Sequence, residues 1–176
     1  PLYARFYAFT KLLRHWCSLR WDDTNGIVPA ELQMRARGLA GLLERTKTSG
    51  PDKEVKVLPI FLSREAWISK EWLETGLLLL EEPELAFARD YLVPLPNADL
   101  SGSSGLRAQY SDALSLTRDL WRFLACPGSH EALLLPEAAF FWSEHSDRAG
   151  VTGWLAALGI PKDQRDFLGR WAVSAM

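Results

Sequence analysis

A chain of 176 residues with 48% hydrophobic and 24% charged residues is long enough to bury a core and too apolar for global disorder. Its formal net charge of −2 weighs against a strongly nucleic-acid-binding domain, but the charge is uneven: residues 1–60 hold ten Lys/Arg against six Asp/Glu, 61–105 three against eight, and 106–176 seven against eight, so a basic first third could face a polyanion. The longest apolar run, Gly76–Leu80, is closed by Glu81 and Glu82 and is too short for a membrane span.

In chain order, residues 2–21 carry Leu2, Phe6, Phe9, Leu12, Leu13, Trp16 and Leu19 at three- and four-residue steps, which predicts a helix. Asp22-Asp23-Thr24-Asn25-Gly26 reads as its terminating turn, and residues 29–37 as a second short helix opened by Pro29. Residues 39–47 and 54–61 read as the two strands of a hairpin around Thr48–Lys53, the sole strand pair expected. Ser63, with the acid of SREAW close behind it, predicts a helix over 63–82. Residues 83–105, rich in Pro and containing SGSSG, read as connection, with 94–108 as an internal loop. Helical spacing returns over 109–125, and residues 143–159 and 161–171 predict a final helix pair joined by Leu158-Gly159-Ile160-Pro161. The expected architecture is α+β: one mainly helical domain, 1–176, with a small antiparallel β-hairpin.

Three clusters carry chemistry. Lys47, in RTKTSG at a strand end, could reach into a groove, donate a proton or meet a phosphate as a point charge; a solvated turn lysine is its ordinary reading. His145 and Arg148 stand three apart on a helix, so an imidazole that exchanges protons near neutral pH lies beside a planar guanidinium fork. Their ordinary reading is a surface helix start in which Glu144 or Asp147 pairs with Arg148. Arg170-Trp171 follows Leu168-Gly169 and offers a cation and an indole N–H, or else a core tryptophan closing the domain. GxxxxGK[ST], HExxH and GxSxG patterns are absent, and His15, Cys17, His130 and Cys126 lack metal-ligand spacing, so neither a metal nor a cofactor is expected. Cys17 and Cys126 form no CxxC pair and read as reduced thiols of an intracellular protein; PLYARFYAF lacks the order of a signal peptide.

Taken in order, SLRWDD (18–23), RTKTSG…VKVLP (45–59), EHSDRAG…AALGI (144–160) and DFLGRW (166–171) form a pattern. The chain resembles the catalytic domain of tyrosine recombinases, the phage-integrase-like superfamily, and most of all its divergent members from eukaryotic mobile elements. The resemblance implies an integrase-like catalytic core that breaks and rejoins double-stranded DNA, works as a homo-oligomer on DNA in the full-length protein, and acts in the nucleus. It also implies roles. Lys47 would be the general acid toward the departing 5′-hydroxyl, with Arg45, Thr46 and Thr48 as DNA contacts beside it. Arg148 would bind the scissile phosphate, His145 would assist proton transfer, and Trp171, or Arg170 beside it, would contact the same phosphate. Such an array suits a phosphorane that gains negative charge.

Three departures accompany the resemblance. Counting back from SLRWDD puts Leu12 where the family carries its first catalytic Arg, leaving Arg14 as the candidate; Ala149 follows Arg148 where many members carry His or Lys; and the nucleophilic Tyr is expected beyond Met176. The chain therefore reads as a DNA strand-exchange domain that positions a phosphate for a tyrosine it does not hold. The alternative is a catalytically inactive, recombinase-derived DNA-binding module. A helical protein-interaction domain without a nucleic-acid role is the third reading.

Overall fold

Helix α1 (Leu2–Trp16) is the axis against which the other elements are arranged. The computed structural model describes residues 1–46, 49–52, 55–66, 69 and 71–169. Along α1, Tyr3, Phe6, Phe9 and Leu13 are buried at the helical spacing that the sequence predicts. The helix stops at Trp16 rather than continuing to residue 21. Ser18 takes a left-handed φ of 51° and the Leu19 amide donates back to the Arg14 carbonyl at 2.9 Å, so the chain turns out of the helix there. The expected Asp22–Gly26 turn is instead a one-turn helix α2 (Trp21–Asn25), with the Asp23 carboxylate accepting the Arg20 amide at 3.1 Å.

The predicted helix over 29–37 does not form. Pro29–Glu31 makes a single 3-10 turn, after which β1 (Gln33–Arg35) pairs antiparallel with β2 (Gly38–Leu43). Met34, half-buried between exposed Gln33 and Arg35, has the two-residue alternation of a strand; ladder pairing to β2 outweighs the helical preference of Ala30, Glu31 and Leu32. The expected strand pair is present as β2 with β3 (Leu58–Ser63), in a register that sets Leu39 opposite Leu62 and Leu43 opposite Leu58. The sheet order is β1-β2-β3, so the predicted hairpin is two arms of a three-stranded sheet.

Ser63 does not cap a helix. It is the last residue of β3, its hydroxyl accepts the Glu65 amide at 3.1 Å, and helix α3 is confined to Trp72–Leu79. The stretch read as connection contains a second pair, β4 (Pro94–Pro96) with β5 (Ser103–Arg107). Helices α4 (Tyr110–Phe123) and α5 (Ser146–Ala157) follow the sequence closely, each shorter than predicted, and α6 (Lys162–Gly169) starts one residue later than expected and runs to the last described residue.

The α1 side chains tie these pieces together. The Tyr3 hydroxyl donates to the Pro94 carbonyl; the Tyr7 hydroxyl donates to Ala113 O at 2.7 Å and lies 2.9 Å from Thr117 Oγ1. On another face, Phe9 packs so closely on α3 that a Cβ at Gly76 would overlap its ring. Buried Asn25 joins α2 to the β4–β5 pair, donating to Ala108 O at 3.1 Å and accepting the Val93 amide at 3.2 Å. Among the described residues no helix is long and apolar enough to cross a membrane.

Two stability predictions follow from this packing. Gly76→Ala should lower the thermal midpoint, with a cost of about 1–3 kcal/mol from overpacking against Phe9; an unchanged midpoint would contradict the contact. Burial, the largest cause in both cases, raises the pKa of the Tyr3 and Tyr7 phenols above their ordinary 10.0, helped at Tyr7 by Glu144. The unfolded chain ionises these groups first as pH rises. Stability should therefore be intact below pH 10.0 and fall above it, by up to about 1.4 kcal/mol per pH unit for each phenol, and Tyr7→Phe should weaken that dependence.

Candidate functional site

The segment that the sequence singles out, EHSDR at 144–148, forms the entry to α5. A 3-10 turn at Pro136–Phe141 leads into it, the Ser143 amide donates to Ser146 Oγ at 3.1 Å, and His145 occupies the N-cap position. Helical spacing then divides the segment. Glu144, Asp147, Arg148 and Val151 turn inward toward α1, whereas His145 and Ala149 face solvent. His145 and Arg148 are thus neighbours on one turn with different surroundings: an exposed imidazole and a guanidinium only 7% accessible.

What fixes this turn is a buried set of charges. Lys11 and Arg14, one turn apart on α1, meet Glu144 and Asp147, one turn apart at the entry to α5. Arg14 Nε donates to Asp147 Oδ2 at 2.7 Å, its Nη2 lies 2.5 Å from the same oxygen, and its Nη1 pairs with Glu144 Oε2. Lys11 Nζ donates to Asp147 Oδ2 at 2.5 Å and lies 3.6 Å from Glu144 Oε1. Thr117 Oγ1 on α4 donates to Glu144 Oε1 at 2.6 Å, and Ser18 Oγ donates to the Arg148 carbonyl at 2.8 Å. Two cations and two carboxylates cancel, which is the condition under which buried charges are tolerated. Burial works to lower the Arg14 pKa, but Asp147 and Glu144 outweigh it and hold the guanidinium above its ordinary value. Burial, with the Arg14 charge adding to it, depresses the Lys11 pKa against the pull of Asp147 and Glu144.

The other predicted residues fall elsewhere or outside the description. Arg14 is 2% exposed, its fork spent on the two carboxylates and its guanidinium 5.6 Å from the centre of the Trp21 ring. Arg45, on the β2–β3 connection, pairs with Asp90 Oδ2 at 2.6 Å in the open. Thr46 is buried; its Oγ1 accepts the Ser49 amide at 2.8 Å and its amide donates to Ser49 O at 2.9 Å, which closes the loop from within. This connection abuts the end of α2, where a Cβ at Gly26 would lie 2.8 Å from the Arg45 carbonyl. Lys47, Thr48, Arg170 and Trp171 lie outside the described residues. Leu12, at the position counted for the first family Arg, is half-buried on the α3 side of α1 with Phe9, Trp72 and Gly76.

Sequence reasoning missed the partners. It read Glu144 and Asp147 as local mates of Arg148, whereas they reach across to α1. The signal was present: Lys11 and Arg14 interrupt the apolar face of α1 with the same three-residue step that separates Glu144 from Asp147. Tyr110, at the start of α4, is exposed and its ring centre lies 6.4 Å from that of His145, so a phenol stands next to the imidazole. The arrangement can present an imidazole, a phenol O–H and the α5 N-terminus to an anionic ligand, backed by Arg148. Among the described residues no cluster of three or more His, Cys, Asp or Glu could hold a metal ion.

No family model matches the chain, and no curated protein matches it in sequence. Solved structures do match in fold. A FLP recombinase–Holliday junction complex superposes with a TM-score of 0.59 at 13% identity, over 99% of this chain and 40% of the other. A Holliday junction complex of the Flpe W330F mutant gives 0.57 at 12% identity, over 98% and 40%, and a further Flpe–Holliday junction complex gives 0.59 at 13%, over 99% and 40%. This chain therefore spans about 40% of the length of the recombinases it superposes on. Its mixed architecture, helices around small antiparallel sheets, is the fold of the tyrosine-recombinase catalytic domain.

Proposed function

We propose that this chain engages double-stranded DNA as a tyrosine-recombinase-like domain, with the entry to α5 placed at a backbone phosphate. The observation that carries the reading is the turn at 144–148. An H-x-x-R pair on a recombinase fold is anchored from below by α1 and leaves only its imidazole face open. In this reading Arg148 supplies positive charge and a donor fork behind the phosphate, and His145 moves or holds a proton at a phosphate or leaving oxygen. Lys47 acts as general acid on the departing 5′-hydroxyl, and Trp171, with Arg170 beside it, donates to the same phosphate. Arg45 and Thr48 flank the lysine on the DNA side, while Thr46, expected from the sequence to be a DNA contact, is buried and serves the loop from within. The nucleophile is a tyrosine of the intact recombination assembly, which works as a homo-oligomer on DNA in the nucleus, and the domain has its origin in a mobile element.

A second reading, a DNA-binding module without strand cleavage, is favoured by Arg14. The candidate for the first phosphate-binding arginine is enclosed and ion-paired to two carboxylates, and Leu12 stands at the counted position.

Fluorescence anisotropy with a labelled duplex across a salt series tests DNA engagement. The affinity should fall linearly on a log–log plot against salt, His145→Ala should weaken it, and Arg148→Lys, which loses the planar fork, should weaken it further. Salt-insensitive or undetectable binding by the unaltered chain would overturn the proposal. A nicked suicide duplex then separates the two readings. A covalent protein–DNA adduct formed by the chain in its longest native context supports strand cleavage, and binding without adduct supports the module.

A further inference from the structure

We propose that Arg14 is a positioning residue that acts through Glu144 and Asp147 to hold His145 and Arg148, and does not itself touch DNA. This rests on the reading that the entry to α5 meets a phosphate, and it reassigns the arginine that the sequence offers as a phosphate ligand. The geometry leaves little else for Arg14 to do. All three guanidinium nitrogens face carboxylate oxygens, the side chain is 2% exposed, and the Trp21 ring covers it. To reach a phosphate it would have to abandon two buried carboxylates that it shares with Lys11.

The same contacts are well suited to positioning. Glu144 and Asp147 bracket His145 in sequence and Asp147 immediately precedes Arg148. A fork that binds both carboxylates fixes the rotation of the first turn of α5 about its axis, and so decides which way His145 and Arg148 point. Lys11 supplements the charge and Thr117 steadies Glu144 from α4. Ser18, held at a left-handed φ of 51°, ties the Arg148 backbone to the end of α1.

The test compares Arg14→Gln, Arg14→Lys and the double variant Arg14→Gln with Glu144→Gln, which restores charge balance in the quartet. Readouts are the thermal midpoint, the affinity for a labelled duplex, and the NMR signals of the His145 imidazole, identified by their loss in His145→Gln. Arg14→Gln should weaken DNA binding by roughly 3- to 30-fold, the range over which residues without ligand contact modulate a site, and shift the His145 signals. Arg14→Lys should lose less, and the double variant should recover both affinity and the His145 signals. Equal loss of affinity in the single and double variants, with the His145 signals unmoved, would make Arg14 a direct phosphate ligand and overturn the proposal. A lowered midpoint with affinity and His145 signals unchanged would overturn it as well, leaving a structural role alone. If Arg14→Gln does not fold, Arg14→Lys and the double variant, which keep the quartet balanced, carry the comparison. If the unaltered chain binds no DNA, the functional reading fails separately. The His145 signals then decide: movement in Arg14→Gln and return in the double variant supports positioning, and no movement overturns it.

Discussion

Four buried side chains set the terms for the rest of the molecule: Lys11 and Arg14 on one helix, Glu144 and Asp147 on another, separated by some 130 residues of sequence. Charges so removed from water are tolerated only as a matched set. Loss of one partner from a buried pair typically costs about 3–5 kcal/mol, a large share of a domain's stability. The quartet therefore dictates that α5 docks on α1 in one rotational setting. Every feature of functional interest at 144–148 inherits its direction from that setting. The fit is tightened by the close approach of α5 to α1, where a Cβ at Gly150 would overlap the His15 ring.

Around this contact α1 serves as a hub. Its tyrosines bond to β4 and α4, its Phe9 meets α3 at Gly76, and its C-terminal turn, through Ser18, grips the Arg148 backbone and passes the chain to α2. The end of α2 touches the Arg45 carbonyl, so a continuous path of contacts runs from the entry of α5 to the β2–β3 connection that carries Lys47. The two segments to which the sequence assigns phosphate chemistry are thus joined through the one element that also holds the charge quartet.

Much of the helical scaffold was legible because apolar residues recur at helical spacing in α1 and α4, and because Pro, Gly and Asn punctuate the chain. Failures occurred where tertiary contacts override local preference. Residues 33–35 form a strand because β2 offers a ladder, and Ser63 ends a strand although its flanking residues imitate a helix cap. The β4–β5 pair was hidden by prolines and by SGSSG, which read as linker. At the site, the H-x-x-R segment was found by its residue types, but its anchoring was not. A cation on an amphipathic helix is most often a solvated side chain, and only the fold brings α1 and α5 together. Exposure of His145 and burial of Arg148 likewise depend on where α5 lies relative to α1, which periodicity alone does not reveal.

Photo-cross-linking shows whether the entry to α5 meets the DNA backbone. A duplex carrying a photoreactive group on one phosphate is irradiated with the chain, and the attached peptide is then mapped. Cross-links are expected within residues 142–150, competed away by unlabelled duplex and reduced in His145→Ala. Cross-links confined to the β1–β3 sheet or to α6, with none in α5 despite saturable binding, would contradict it.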